Sequence, residues 1–473
     1  MQIKIATKTI DHTWDKSIIP TMSDYIKIPN KSPSFDKDWQ KNGYMDQAVK
    51  LLKKWCESQP IKGMTTEVIQ IDGRTPLLFI EIKGNSDDKV LLYGHYDKQP
   101  EFTGWRDDLG PWKPVVEDGK LYGRGSADDG YALFSYLTAF LILQEQNIPH
   151  ANCVIILEGC EESGSYDLPF YMEKLKHKID SPSLVVCLDA ECGNYEQLWC
   201  TSSLRGNLVG VLSVDVLSEG VHSGSASGIV PSCFRIAREL LNRIEDPETG
   251  NILCSDLFTE ISEKTMHQTK IASDILSDSV YKKFPWVSLE EDSYETPYDL
   301  MLNNTWKPIL SVTGADGLPN NEIAGNVLLP NLRLKLSFRL PPPLDTEAAG
   351  EKIKKILEHK PPPNCRIKFE PESAMSGWEA PPIKNWLEDS ISEASHSFFN
   401  KPSVFMGAGV SIPLMGLLSE KFPKAQFLVT GLLGPNSNAH GPNEFMDIET
   451  AKKLTGCVAK IIADHHLNSN KGN

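Results

Sequence analysis

Val90-Leu91-Leu92-Tyr93-Gly94-His95-Tyr96-Asp97 is the stretch that decides the fold. Its apolar run is too short for a helix, carries no charge and reads as a buried strand; a glycine ends it just before two metal-competent side chains. The same order recurs along the chain. Val154-Ile155-Ile156-Leu157 runs toward Glu161-Glu162, Leu184-Val185-Val186-Cys187-Leu188 ends on Asp189, and Phe427-Leu428-Val429 leads into a Gly/Asn loop carrying His440. Runs of this kind belong to parallel sheets, and open α/β sheets bind ligands beyond the carboxyl ends of their strands. Polar groups spread over nearly the whole chain are therefore expected to meet at one edge of a sheet. Two imidazoles and several carboxylates without a thiolate make a donor set suited to zinc, manganese or cobalt.

Around these strands the pattern alternates. Met45, Val49, Leu52 and Trp55 fall on one helical stripe, Leu77-Leu78-Phe79-Ile80 reads as a strand, and Tyr131 to Gln144 is apolar enough for a buried helix. Such βαβ alternation predicts a largely parallel sheet covered by helices. Near Thr201 the period changes. Leu208, Gly210, Leu212, Val214 and Val216 alternate with polar positions, as do Leu332, Leu334, Leu336 and Phe338, which marks antiparallel strands with one solvated face. Between them a helix is expected over Pro231 to Ile244, with Phe234, Ala237, Leu241 and Ile244 on its apolar side, and another over Gly350 to His359. Proline clusters at 341–343, 361–363 and 381–382 mark edges. From Trp386 the helix-and-strand alternation returns, ending in a helix around Ala451 to Ala463. The expected organisation is an α/β domain, residues 1–202 and 386–473, interrupted by an α+β domain over 203–385. Residues of about 250–310, with Trp286, Tyr294 and Tyr298, read as an insertion of unassigned role, a lid or dimer elaboration.

The bulk properties narrow the classes. A chain of 473 residues exceeds one ordinary core. A formal charge of −15, with no basic stripe, argues against nucleic acid and anionic membrane as partners. The stretch Met1 to Thr13 has no apolar core of signal-peptide length, and nothing approaches a membrane span. Ten cysteines occur without a C-x-x-C, several within apolar runs (Cys153, Cys187, Cys457), as expected of reduced thiols in the cytoplasm.

Gly94-His95-Tyr96-Asp97, Leu121-Tyr122-Gly123-Arg124-Gly125-Ser126-Ala127-Asp128-Asp129, Glu161-Glu162-Ser163-Gly164, Asp189 and His440 together resemble, in order and spacing, a known family. It is the two-metal exopeptidase and amidohydrolase family of carnosine dipeptidase, glutamate carboxypeptidase and aminoacylase, and the likeness spans roughly residues 90 to 445. The resemblance implies a mostly parallel sheet flanked by helices, carrying an inserted α+β lid or dimerisation domain. It also implies two divalent ions, zinc in the first place. His95 and Asp189 would hold one, Glu162 and His440 the other, with Asp128 bridging. Asp97 would hold the second nitrogen of His95, and the Asp128–Asp129 peptide would be cis. Glu161 would act as general base toward a water activated between two ions about 3.5–4 Å apart. In the inserted domain, His222 would stabilise the tetrahedral oxyanion, reaching the partner subunit's site in a homodimer. Asn326, Arg339 and Ser411 would hold the substrate carbonyl and free carboxylate, a task that suits the planar fork of arginine. Val410 stands where many relatives have glycine.

Taken singly these residues have plainer readings: Glu161-Glu162 as a solvated helix start, Asp128 as an N-cap, Arg339 as a solvated strand position. Their joint register favours the metal site. The expected activity is cleavage of a peptide bond in dipeptides or short peptides with a free terminal carboxylate. Deacylation of N-acyl amino acids by the same site is the alternative, and a catalytically silent ligand-binding relative is a remote one, since no expected ligand is replaced.

Overall fold

The computed structural model describes residues 1–288 and 295–469, so Tyr294 and the last four residues lie outside the described part. The strands that matter here, in chain order, are β1 (Met64–Ile69), β2 (Leu77–Ile82), β3 (Lys89–His95), β4 (Asn152–Glu158), β5 (Leu184–Cys187), β6 (Trp199–Leu204) and β7 (Gly206–Asp215). They are followed by β8 (Ile309–Asp316), β9 (Asn331–Leu340), β10 (Arg366–Met375), β11 (Val404–Ala408) and β12 (Gln426–Val429).

A six-stranded sheet runs in the order β1-β2-β4-β3-β5-β12. Its apolar runs are unbroken because alternate residues feed two separate cores. Val90 and Leu92 pack on one face with the helix Ala132–Glu145, while Leu91 and Tyr93 pack on the other with Leu168, Tyr171 and Met415. Ile155 and Val186 follow the first face, Ile156 and Val185 the second. The helix Ala132–Glu145 lies between sheet and the C-terminal helix Ile448–Ser469 and is buried nearly all round, so it carries no polar stripe. Its Tyr136 hydroxyl donates to Tyr93 O at 2.7 Å, and the Tyr131 hydroxyl donates to Leu188 O, pinning the helix start to the strand ends. Gly94 permits this approach: a Cβ there would lie 2.8 Å from Asp129 Oδ2 and 3.0 Å from Ala132 Cβ.

The pairs β3/β4, β3/β5 and β5/β12 are parallel, and β1/β2 and β2/β4 are antiparallel. The sheet is thus mostly parallel, but Leu77-Leu78-Phe79-Ile80 does not sit in the parallel part that the βαβ reading gave it. The physical reason is the short link between β1 and β2, which makes a hairpin and leaves no room for a crossover helix.

A second, antiparallel sheet of order β8-β9-β7-β10 contains the period-2 strands. Its apolar face packs on the helices Cys233–Leu241 and Thr346–Glu358. The first helix starts later than expected, because Ser232 caps it by accepting from Arg235 N. Its buried stripe is Cys233, Ile236, Ala237 and Leu240, while Phe234 points to solvent at 45% exposure. The second starts earlier, where the Asp345 carboxylate accepts from Ala348 N at 3.0 Å.

β6 and β11 are parallel neighbours in a small sheet edged by Trp378–Glu379. The helices Glu263–Leu276 and Pro297–Thr305, the latter containing Tyr298, put Ala272 and Met301 into one cluster with Trp199, Val404 and Met406. These two helices therefore pack on β6 and β11, whereas Ile252 and Leu257 join the core of the antiparallel sheet, and the Trp286 indole donates to Tyr281 O at 2.7 Å. All ten cysteines are unpaired. No helix among the described residues is long and apolar enough to cross a membrane.

The turn leading into β3 is tied to the C-terminal helix. Asp88 Oδ2 accepts from Ser183 Oγ at 2.8 Å and lies 3.3 Å from His465 Nε2. Burial alone would raise this carboxyl, but the hydrogen bonds from His465 and Ser183 and the electrostatic pull of His465 outweigh it and lower the pKa from 3.8 to about 2. The folded pKa is the lower one, so the stabilisation is fully present above about pH 4 and is lost as pH falls through about 2. Allowing for solvent screening it amounts to about 1 kcal/mol. Asp88→Asn is expected to lower the urea midpoint at pH 6 and to converge on wild type toward pH 2.

Candidate metal centre

His95 ends β3, Asp189 follows β5 by one residue, and Glu161-Glu162 sit on a single 3-10 turn after β4, closed by Gly164 at φ 91°. Asp128 lies on the Gly-rich turn before the helix Ala132–Glu145, and its peptide bond to Asp129 is cis. His440 stands on the loop after β12, the only exposed member of the group. The parallel strands thus deliver residues from four chain segments to one sheet edge.

His95 Nε2 lies 3.1 Å from Asp128 Oδ1 and 3.6 Å from Asp189 Oδ2. His440 Nε2 lies 3.0 Å from Asp128 Oδ2 and 3.3 Å from Glu162 Oε2. The result is two donor sets, His95/Asp128/Asp189 and Asp128/Glu162/His440, that share Asp128 through its two oxygens. A tetrahedral ion bound at about 2.0–2.2 Å would space its ligand atoms about 3.3–3.6 Å apart, close to these separations, and nitrogen-plus-carboxylate donors are those zinc accepts. The residues present fit a pair of divalent cations.

The charges agree with that reading. Burial first, then repulsion by neighbouring carboxylates, pushes Glu162 well above the usual carboxylate range. For Glu161 burial also leads; His95 opposes it, and Asp189 and Asp128 add to it. Asp189 is raised to about 6 by burial, against the pull of His95. Asp128 goes down despite burial, because both histidines bond to it. Bound cations are the charges that offset such a cluster of acids.

Asp97 is buried beside His95, with Oδ1 3.5 Å and its own carbonyl oxygen 3.2 Å from Nδ1. Its carboxylate also accepts from Glu161 N at 3.1 Å and Glu162 N at 3.0 Å, so one side chain orients the first histidine and fixes the turn carrying both glutamates. Sequence reasoning missed this second duty. It also missed Gln99, which donates to Glu162 Oε2 at 2.5 Å, and Asp129, which accepts from His95 N at 3.4 Å. Proximity to His95 and Asp128 in the chain was the only available signal.

Arg339, on β9, donates from Nη1 to Ser411 Oγ at 3.1 Å, and Ser411 in turn donates to Arg205 O at 2.5 Å. Gly409, two residues before Ser411, lies beside the Asn304 side chain, where a Cβ would meet Oδ1 at 2.6 Å. Val410 is 39% exposed. His222 and Asn326 are brought to each other through the pairing of Val221–His222 with Val327–Leu328 and the bond Ser223 N to Asn326 O at 2.8 Å. Both side chains are exposed, and no hydrogen bond or ion pair among the described residues joins them to the carboxylate cluster.

Paired histidine–carboxylate sets sharing one aspartate at the ends of parallel strands, with a further glutamate alongside, define the class: a metal-dependent hydrolase. The family model for Peptidase family M20/M25/M40 matches residues 91–464, and the chain belongs to that family. It is 25% identical over 439 residues to the Cys-Gly metallodipeptidase DUG1 of Saccharomyces cerevisiae, covering 89% of this chain and 87% of that protein. It is 29% identical over 296 residues to the Beta-Ala-His dipeptidase of Mus musculus, covering 60% of this chain and 58% of that one. The structure of an M20 family metallo-carboxypeptidase from Sulfolobus solfataricus superposes with TM-score 0.78 at 22% identity, over 96% of this chain and 100% of that chain.

Proposed function

We propose that the protein hydrolyses the peptide bond of dipeptides or short peptides bearing a free terminal carboxylate, with zinc as the resident metal. The observation that carries this is the pair of donor sets sharing Asp128, with Glu161 beside them in neither set. Two divalent ions, when bound, polarise the scissile carbonyl and make water a nucleophile near neutral pH. Glu161 takes the proton of the attacking water and returns it to the leaving amine. Asp97 keeps the His95 ring oriented by holding Nδ1. Arg339, steadied by Ser411, receives the substrate carboxylate.

In this reading residues 203–385 form a lid and dimerisation domain on the catalytic part, 1–202 and 386–473. His222 serves the partner subunit's site at the oxyanion, and Asn326 holds the substrate carbonyl. Exposed apolar side chains in the same region support a homodimer: Ile229 is 82% exposed and Ile323 79%. The unpaired cysteines support a cytoplasmic location.

The carboxylate requirement is the test. A dipeptide is expected to be cleaved and its C-terminal amide to be a poor substrate. Arg339→Met should lower kcat/KM on the free acid by about 10–100-fold, mainly through KM, since a bond between charged groups contributes about 1.5–3 kcal/mol. Equal turnover of acid and amide by the wild type would contradict the reading.

A further inference from the structure

We infer that Glu444 and Arg124 are a positioning pair that holds His440 over the Asp128/Glu162 donor set, so that one of the two metal sites depends on them selectively. The inference rests on the two-metal reading above. Glu444 is fully buried and Arg124 is 1% exposed; Arg124 Nη1 donates to Glu444 Oε2 at 2.7 Å. Each side chain then bonds one of the two ligand loops. The Glu444 carboxylate accepts from Gly125 N at 3.0 Å, Ala127 N at 3.2 Å and Asp128 N at 3.4 Å, which are the turn that presents the shared aspartate. Arg124 Nη2 donates to Gly441 O at 2.8 Å, the residue after His440. Two side chains thus connect the backbone at Asp128 with the backbone beside His440.

The loop needs such a brace. Asn436, Asn438, His440 and Asn443 all have left-handed backbones, with φ of 63°, 53°, 65° and 60°, a conformation that side chains other than glycine seldom adopt. His95 and Asp189, by contrast, stand at the ends of hydrogen-bonded strands and are buried. A buried ion pair contributes little net stability compared with an apolar replacement, whereas a fixed geometry between two loops is something it can supply. In Glu444→Gln the side chain keeps an oxygen that accepts from Gly125 N, Ala127 N and Asp128 N and loses only its ion pair with Arg124, and Arg124→Lys loses the bond to Gly441 O. Either change should therefore loosen the His440 loop while the Asp128 turn, and with it the His95 site, stays in place.

The test compares wild type with Glu444→Gln and Arg124→Lys, each stripped with chelator and titrated with Co²⁺, followed by calorimetry and visible absorbance. Wild type should take two ions per chain. In both variants the first should bind as in wild type, and the second should weaken by about 10–100-fold, the range for partners behind the ligands. Its visible band should change; the thermal midpoint of Glu444→Gln should fall, because Arg124 stays buried without its partner, while that of Arg124→Lys, which keeps the charge, should stay nearer wild type. Two ions at wild-type affinity would overturn the inference. So would equal weakening of both, or two variants that do not fold, since the pair would then serve the fold as a whole. A wild type that takes up no second ion would instead remove the two-metal reading, and the inference with it.

Discussion

Glu161→Gln is expected to cut dipeptide turnover by about 10²–10⁴-fold while metal content stays that of the wild type, the loss typical of removing a general acid–base group. The side chain belongs to neither donor set, and among the described residues its carboxylate makes no hydrogen bond or ion pair. Its position comes from the backbone, since Glu161 N and Glu162 N are both held by Asp97. Glutamine keeps shape and polarity but accepts no proton at neutral pH, so the change isolates the chemical step. Metal analysis beside kcat checks the result. A variant retaining more than a tenth of the activity with full metal would show that another group moves the proton.

Asp128→Asn should act differently and lose the metals themselves. Oδ1 faces His95 and Oδ2 faces His440, so both sets depend on this one carboxylate. An amide offers one neutral oxygen, and each site loses charge or a donor. Affinity at both sites should fall by more than the roughly 10–100-fold expected for outer partners. Asp189→Asn, which belongs to one set only, should spare the second ion. Metal counted after gel filtration without added ion separates the two variants: fewer than one ion per chain for Asp128→Asn, about one for Asp189→Asn. Retention of both ions in Asp128→Asn would dissolve the claim of a shared ligand.

The site was legible where burial wrote it into the sequence. β3, β4, β5 and β12 each supply two cores, so their apolar runs are unbroken; those of β3 and β5 end directly at His95 and Asp189, while those of β4 and β12 lead into the loops that carry Glu162 and His440. The antiparallel setting of β2 was not legible, because strand direction depends on the length of a connection and leaves no mark on the apolar run itself. The face of the helix Cys233–Leu241 was misjudged by weighting Phe234 for size, when Ser232 sets the start and small Cys233 and Ala237 share the buried stripe. Glu444, Arg124 and Gln99 lie in turns, where polar residues follow no period, and only their bonds reveal what they hold. The packing of the helices Glu263–Leu276 and Pro297–Thr305 on β6 and β11 could not be read either, since Ala272 and Met301 meet strands far away in the chain.

Amino acid release from a panel of dipeptides and N-acyl amino acids, with protein reloaded with zinc or manganese and Glu161→Gln as the blank, tests the central claim most directly. Release from dipeptides that disappears in the blank is the predicted result. Cleavage of the acylated compounds alone would contradict it and make the protein a deacylase. Absence of turnover on either class with both metals would contradict the hydrolytic reading and favour a ligand-binding role.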